Sequence, residues 1–211
     1  MNDKFLALSM VAFLFLTACT ITSKTIYEPE YSFIQGLSEM SAIDIKHNIT
    51  IDRPSHEIKK INEALTDLYQ LKARFEQLKE SNDKDALMKL AYFRIFDLEA
   101  NKAYQLALSY GGKGTVTNGF ACSQKTYILE AAYNLKAAGR KGFTAVGYLK
   151  GLFDNYPDEA SLLGIKSTYP LFLNASYSEI YIQSNKERNV IERFCPGEYN
   201  ATDAFTEAFV N

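Results

Sequence analysis

A chain of 211 residues with 23 basic and 25 acidic side chains, a net charge of −2 and 47% hydrophobic residues is long enough to bury one sizeable core. The balance of charge, without a basic block, excludes an electrostatic footprint for nucleic acid, and the even spread of charges excludes a long charged tail. Two histidines and three cysteines, none at a spacing such as C-x₂-C or H-E-x-x-H, point to no metal and no cofactor.

The first predicted element is the apolar stretch Phe5 to Leu16, which follows Asp3-Lys4. It is about 12 residues long, short of the roughly 20 that a helix needs to cross a bilayer, and it fits a signal segment over residues 1–18. It ends in Leu16-Thr17-Ala18-Cys19. This stretch resembles the lipobox of bacterial lipoproteins, in which a branched residue, two small residues and a cysteine are cut just before the cysteine. The resemblance implies that Cys19 is acylated and that its chains, worth about 0.8 kcal/mol per buried CH₂, hold the protein on a bilayer. Thr20 in place of an aspartate implies sorting to the outer membrane, on its periplasmic side.

Residues 19–42 read as a lipidated tether, and residues 43–211 as a single helical domain. Ile43, Ile45, Ile49 and Ile51 alternate, with His47 among them, so 43–51 is expected to be a short extended segment. Ser55 is expected to cap a helix whose stripe is Ile58, Ile61, Leu65, Leu68, Leu71, Phe75 and Leu78. Ser81 to Asp83 offer caps for a helix over Ala86 to Tyr110 that is apolar on most sides and therefore buried. Within it, Asp97 and Glu99 are expected on a narrow solvated face.

Gly111-Gly-Lys-Gly-Thr115 departs from the phosphate loop, because Ala107 stands where the first glycine belongs and Gly114 follows the lysine; it reads as a helix end and a loop. A helix with Tyr127, Ile128, Ala131, Leu135 and Ala138 inward is expected next, then a turn at Gly139-Arg140-Lys141-Gly142, then a helix from Phe143 to Tyr156 stopped by Pro157. Asp158 is expected to cap a short helix. Ser176-x-x-Glu179 has the form of a capping box for the last long helix, which could instead start near Pro170 and run through. The fold class is all-α, a bundle or array of about six helices.

Residues 131–160 resemble one tetratricopeptide unit. Ala145, Leu149, Leu152 and Pro157 match its second helix, whereas Leu129 and Tyr133 stand where a tryptophan and a small residue are usual; no second copy follows at the family's period. The resemblance implies a hairpin array with a concave face for peptides or proteins.

Two cysteines remain beside Cys19. In an oxidising compartment Cys122 and Cys195 are expected to pair, a link worth roughly 4 kcal/mol in the chain-entropy account. Fourteen tyrosines and no tryptophan suggest a partner-binding face built from Tyr127, Tyr133, Tyr148, Tyr177 and Tyr181, since tyrosine suits interfaces. No catalytic motif is present. The expected function is a membrane-anchored envelope adaptor or scaffold with a protein partner. The alternatives are a small-molecule-binding accessory lipoprotein and an enzyme with a carboxylate-based site.

Overall fold

The computed structural model describes residues 31–49, 55–110 and 125–195. Among them lie six helices and no strand: α1 Phe33–His47, α2 Ile58–Glu76, α3 Asn82–Ser109, α4 Lys125–Asn155, α5 Pro157–Ser161 and α6 Tyr169–Phe194. The all-α class is therefore as expected. The signal segment, Cys19, Thr20, Ile51, the 111–115 loop and Cys122 lie outside the described residues.

Helix α1 corrects two expectations. The helical unit begins at Tyr31, inside the stretch read as a tether. Residues 43–47 are helical, where an extended segment was expected. Local chemistry at both ends outweighs the isoleucine alternation. At the start, Ser32 and Gln35 form a capping box, which satisfies two amides that a helix leaves orphaned. At the end, Asn48 adopts φ 53°, a left-handed conformation that asparagine tolerates. The amide of Asn48 then donates to Ile45 O at 3.1 Å and that of Ile49 to Asp44 O at 2.9 Å, the two bonds of a Schellman stop. The stripe that decides burial is helical: Phe33, Gly36, Met40 and His47 face inward, and Ile45 is exposed.

In α2 the amphipathic stripe is as expected, with Ile61, Leu65, Leu68, Leu71 and Phe75 buried. Its N-cap is Glu57, not Ser55; the Ser55 hydroxyl instead accepts from the Glu57 amide at 3.1 Å. Ser81 caps α3 by accepting from the Lys84 amide at 3.1 Å.

The expected turn at Gly139 to Gly142 does not form. Residues 125–155 are one helix, so the hairpin implied by the tetratricopeptide resemblance is not formed either. The two glycines serve packing. A Cβ at Gly142 would fall 2.1 Å from the Tyr177 ring, and one at Gly139 2.9 Å from Tyr181 Cβ. Each glycine costs a helix about 1 kcal/mol against alanine, and here that cost admits two tyrosines of α6. Pro157 takes the first turn of α5 with Tyr156 at its N-cap, in place of Asp158. The last helix runs through from Tyr169, so Ser176 is interior and not a cap.

Contacts give the arrangement. α1 is parallel to α3, because Phe33 meets Asp83 and Asp44 meets Arg94. α2 and α4 are antiparallel to α3, through Tyr69 with Glu99 and Lys72 with Tyr92 on one flank and Lys141 with Glu99 and Tyr148 with Tyr92 on the other. α6 is antiparallel to α4. Thus α3 is central, α2 and α4 flank it, and α1 and α6 reach it from behind. Fully buried side chains such as Phe75, Phe93, Leu98 and Leu149 form the core, each worth about 1.5–3 kcal/mol relative to exposure.

Candidate functional site

From Ala86 to Ala103 every position of α3 is buried except Met88, Lys89, Tyr92, Phe96, Glu99 and Lys102. Steps of three and four place these on one stripe. Arg94, Asp97, Asn101 and Gln105 lie about half a turn round the helix from it. One helix thus presents a closed polar back and an open front.

At the back, Arg94 is 2% exposed. Its guanidinium donates to Asp44 Oδ1 of α1 at 2.5 Å and meets Asp97 Oδ2 at 3.5 Å. The other Asp97 oxygen accepts from the Tyr177 hydroxyl of α6 at 2.6 Å. The Tyr177 ring lies on Gly142 of α4, so the missing Cβ gives the hydroxyl its path to α3. Farther along, Asn101 donates to Ser55 O at 2.9 Å, and Gln105 donates to Asn101 at 3.3 Å. Burial pushes the carboxyls of Asp97 and Asp44 above the usual range, against the pull of Arg94. Burial, then the Asp97 charge, holds the Tyr177 phenol far above its ordinary value. Arg94 and Tyr177 occupy both oxygens of Asp97, so this relay ties three helices together and leaves Asp97 no free oxygen for a substrate. Asp97 was expected on a solvated face; its burial beside Arg94 three residues earlier corrects that expectation.

At the front, the Tyr148 ring of α4 stacks on Tyr92 and Phe96 of α3, with centroids at 4.8 and 5.8 Å and interplanar angles of 17° and 6°. Lys72 Nζ of α2 sits 4.9 Å from the Tyr92 ring centre and pairs with Glu76 at 2.6 Å. One turn on, Glu99 accepts from the Tyr69 hydroxyl of α2 at 2.6 Å and from Lys141 of α4. Burial pushes the Glu99 carboxyl up, but the Lys141 and Tyr69 hydrogen bonds outweigh it and hold the group below its usual range. Burial and Glu99 push the Tyr69 phenol up to about 12. Tyr69 is nonetheless 46% exposed.

The five tyrosines singled out from the sequence do not form one face. Tyr148 belongs to the front, half-buried in the ring stack. Tyr177, 8% exposed and bonded to Asp97, belongs to the back and offers nothing to a partner. Tyr181 lies over Gly139, 6.0 Å from Phe143, with Lys136 Nζ 6.0 Å from its ring centre. Tyr127 and Tyr133 are exposed on α4, at 61% and 43%. Tyr92 and Phe96 were not singled out; their i, i+4 spacing on the stripe with Lys89, Glu99 and Lys102 was the available signal. Cys195 is disulfide-bonded and buried at the end of α6.

Elsewhere, a shallow open cavity of about 320 Å³ lies between α1 and α2 over Ile43 and Leu71. Its charges are paired within the fold. Glu39 takes the Tyr31 hydroxyl and Arg74, and Asp67 takes Lys46 and His47. Among the described residues no group of three or more His, Cys, Asp or Glu could hold a metal ion, and no helix is long and apolar enough to cross a membrane. Comparison with protein families, with curated proteins and with solved structures returns no match.

Proposed function

We propose that the chain is a lipid-anchored adaptor of the bacterial cell envelope, held by acylated Cys19 on the periplasmic face of the outer membrane, and that it captures a protein partner on the front of α3. The observation that carries this reading is the half-open ladder of Tyr92, Phe96 and Tyr148, flanked by Tyr69 and Lys72. Aromatic side chains with one wet edge and a fixed ring geometry are the residues that interfaces concentrate. The relay favours an adaptor over an enzyme with a carboxylate-based site, since Arg94 and Tyr177 already take up both oxygens of the buried Asp97.

The test is a photo-crosslinking side chain at Tyr69 on the front or at Ile182 on the outer side of α6, which is also exposed, in intact cells. The reading expects one discrete adduct from position 69, lost when Tyr148→Ala is added, and none from position 182. Adducts of equal yield from both positions would refute it. Mass spectrometry of the mature N-terminus tests the anchor: an acylated Cys19 is expected, and a terminus cut elsewhere removes that part of the reading.

A further inference from the structure

The large apolar side chains left in water are not spread evenly. Among the described residues, six aliphatic or phenylalanine side chains are at least half exposed. Ile45 lies in the last turn of α1 and Ile182 midway along α6. The other four, Ile34, Leu162, Leu171 and Phe172, gather toward one end of the bundle. Contacts define that end. The Phe33 amide donates to Asp83 at 2.7 Å, the Tyr31 ring lies 5.9 Å from that of Phe75 at the end of α2, and the Tyr156 hydroxyl, just past α4, meets Asp85 at 3.4 Å. Helix α6 starts there because it is antiparallel to α4, as Gly142 with Tyr177 and Gly139 with Tyr181 show.

From α5 into α6 the chain sorts its apolar residues by side. Leu163, Ile165, Tyr169 and Leu173 pack on the core. Leu162, Leu171 and Phe172 turn out. The one charge from Leu162 to Phe172 is Lys166. Asp158 and Glu159 in the first turn of α5 outnumber it, so any attraction at this end is apolar and not electrostatic.

The chain that leads in sets what this end meets. Residues 20–30 separate Cys19 from Tyr31 and reach at most about 40 Å when extended. An acylated Cys19 therefore keeps a bilayer within that distance of Tyr31, and a weak apolar contact strengthens when it is held near its surface. Helix α6 lies behind α3, so contact here leaves the front clear for a partner.

We infer that this end of the bundle rests on the lipid surface that holds the acyl chains, with Leu162, Leu171 and Phe172 in the outer edge of its apolar layer; this rests on the Cys19 anchor proposed above.

Quenching by nitroxide lipids tests it, with the purified full chain reconstituted in vesicles of phosphatidylethanolamine and phosphatidylglycerol. A fluorophore is attached at Leu162→Cys, at Leu171→Cys or, as the control, at Ile182→Cys, and the wild-type background is subtracted. A nitroxide near the headgroups is expected to quench the first two about threefold or more above the third, equally at low and high salt because the contact is apolar. Leu171→Asp is expected to lower quenching at position 162 by about half or more, with thermal unfolding unchanged because Leu171 is exposed. The inference is overturned by equal quenching at all three positions, by quenching that disappears at high salt, or by positions 162 and 171 being shielded from aqueous iodide without being quenched by the lipid, as a protein partner or a second copy would do. Mass spectrometry of the same preparation judges the anchor separately. An acylated Cys19 without quenching at 162 and 171 keeps the anchor and removes this contact; an unmodified Cys19 removes both.

Discussion

The two sides of α3 are built from the same kinds of residue and do opposite things. At the back, out of water, the Asp97 carboxylate lies 3.5 Å from the Arg94 guanidinium and 2.6 Å from the Tyr177 hydroxyl, and each bond joins α3 to itself or to another helix. At the front, a carboxylate, an ammonium and a tyrosine hydroxyl meet in much the same way at Glu99, but with an edge in solvent and beside a stack of half-exposed rings. Exposure makes the difference. A dry polar cluster fixes the register of helices and is costly to break, whereas a wet one costs little to rearrange and leaves its aromatic neighbours available.

The largest effect should come from breaking the back. Arg94→Met leaves the buried Asp97 and the half-buried Asp44 without their cation and should cost about 3–5 kcal/mol, read as a lower urea midpoint. The matched change at the front, Lys141→Met, removes a partly exposed partner of Glu99 and should cost less than about 1 kcal/mol. Equal losses would erase the distinction.

Glycine substitutions in α4 should sharpen it by sign. Gly142→Ala drives a Cβ into the Tyr177 ring and should destabilise by about 1–3 kcal/mol. Gly147→Ala meets nothing within 4 Å and should stabilise by up to about 1 kcal/mol through helix propensity. Tyr177→Phe strands the buried Asp97 oxygen, at about 1–3 kcal/mol; Tyr69→Phe, at the exposed Glu99, should cost about 0.5 kcal/mol. Calorimetry on the four variants would show whether they fall in this order.

Titration separates the sides by direction. The Asp97 carboxyl is raised in the folded chain, so the native state keeps its proton to higher pH than the unfolded state does; its contribution falls as pH rises from the usual carboxylate range through the folded pKa. Glu99 is lowered, so its contribution is present above the usual range and is lost as pH falls through the folded value. Urea midpoints against pH should therefore decline less on the alkaline side in Asp97→Asn and less on the acid side in Glu99→Gln. Identical pH profiles for the two variants would contradict the assignment.

Much of the helical frame is legible in the sequence because periodicity reports burial directly. The α2 stripe, the burial of α3 on most sides, the stop at Pro157 and the class of fold follow from it. The errors arise where packing between distant elements decides. Gly139 and Gly142 read locally as a turn, yet they are the slots for Tyr181 and Tyr177, 42 and 35 positions away. Asp97 reads as a solvated residue, because nothing local reveals that Asp44 and Tyr177 converge on the same side of α3. The alternating isoleucines read as a strand, because the capping box at Ser32 and the left-handed Asn48 carry their information outside the alternation. Tyrosine count pointed to an interface but could not sort its members: Tyr148 is at the front, Tyr177 at the back.

The most direct test of the two-sided helix is maleimide reactivity of single cysteines along α3, in the folded full chain and in urea, corrected for the wild-type background. Cysteine at Lys89, Tyr92, Phe96 and Glu99 should label in the folded state, while cysteine at Leu90, Asp97 and Leu98 should label only in urea. Reactivity that does not alternate along the helix, or a reactive Asp97→Cys in the folded protein, would contradict the account.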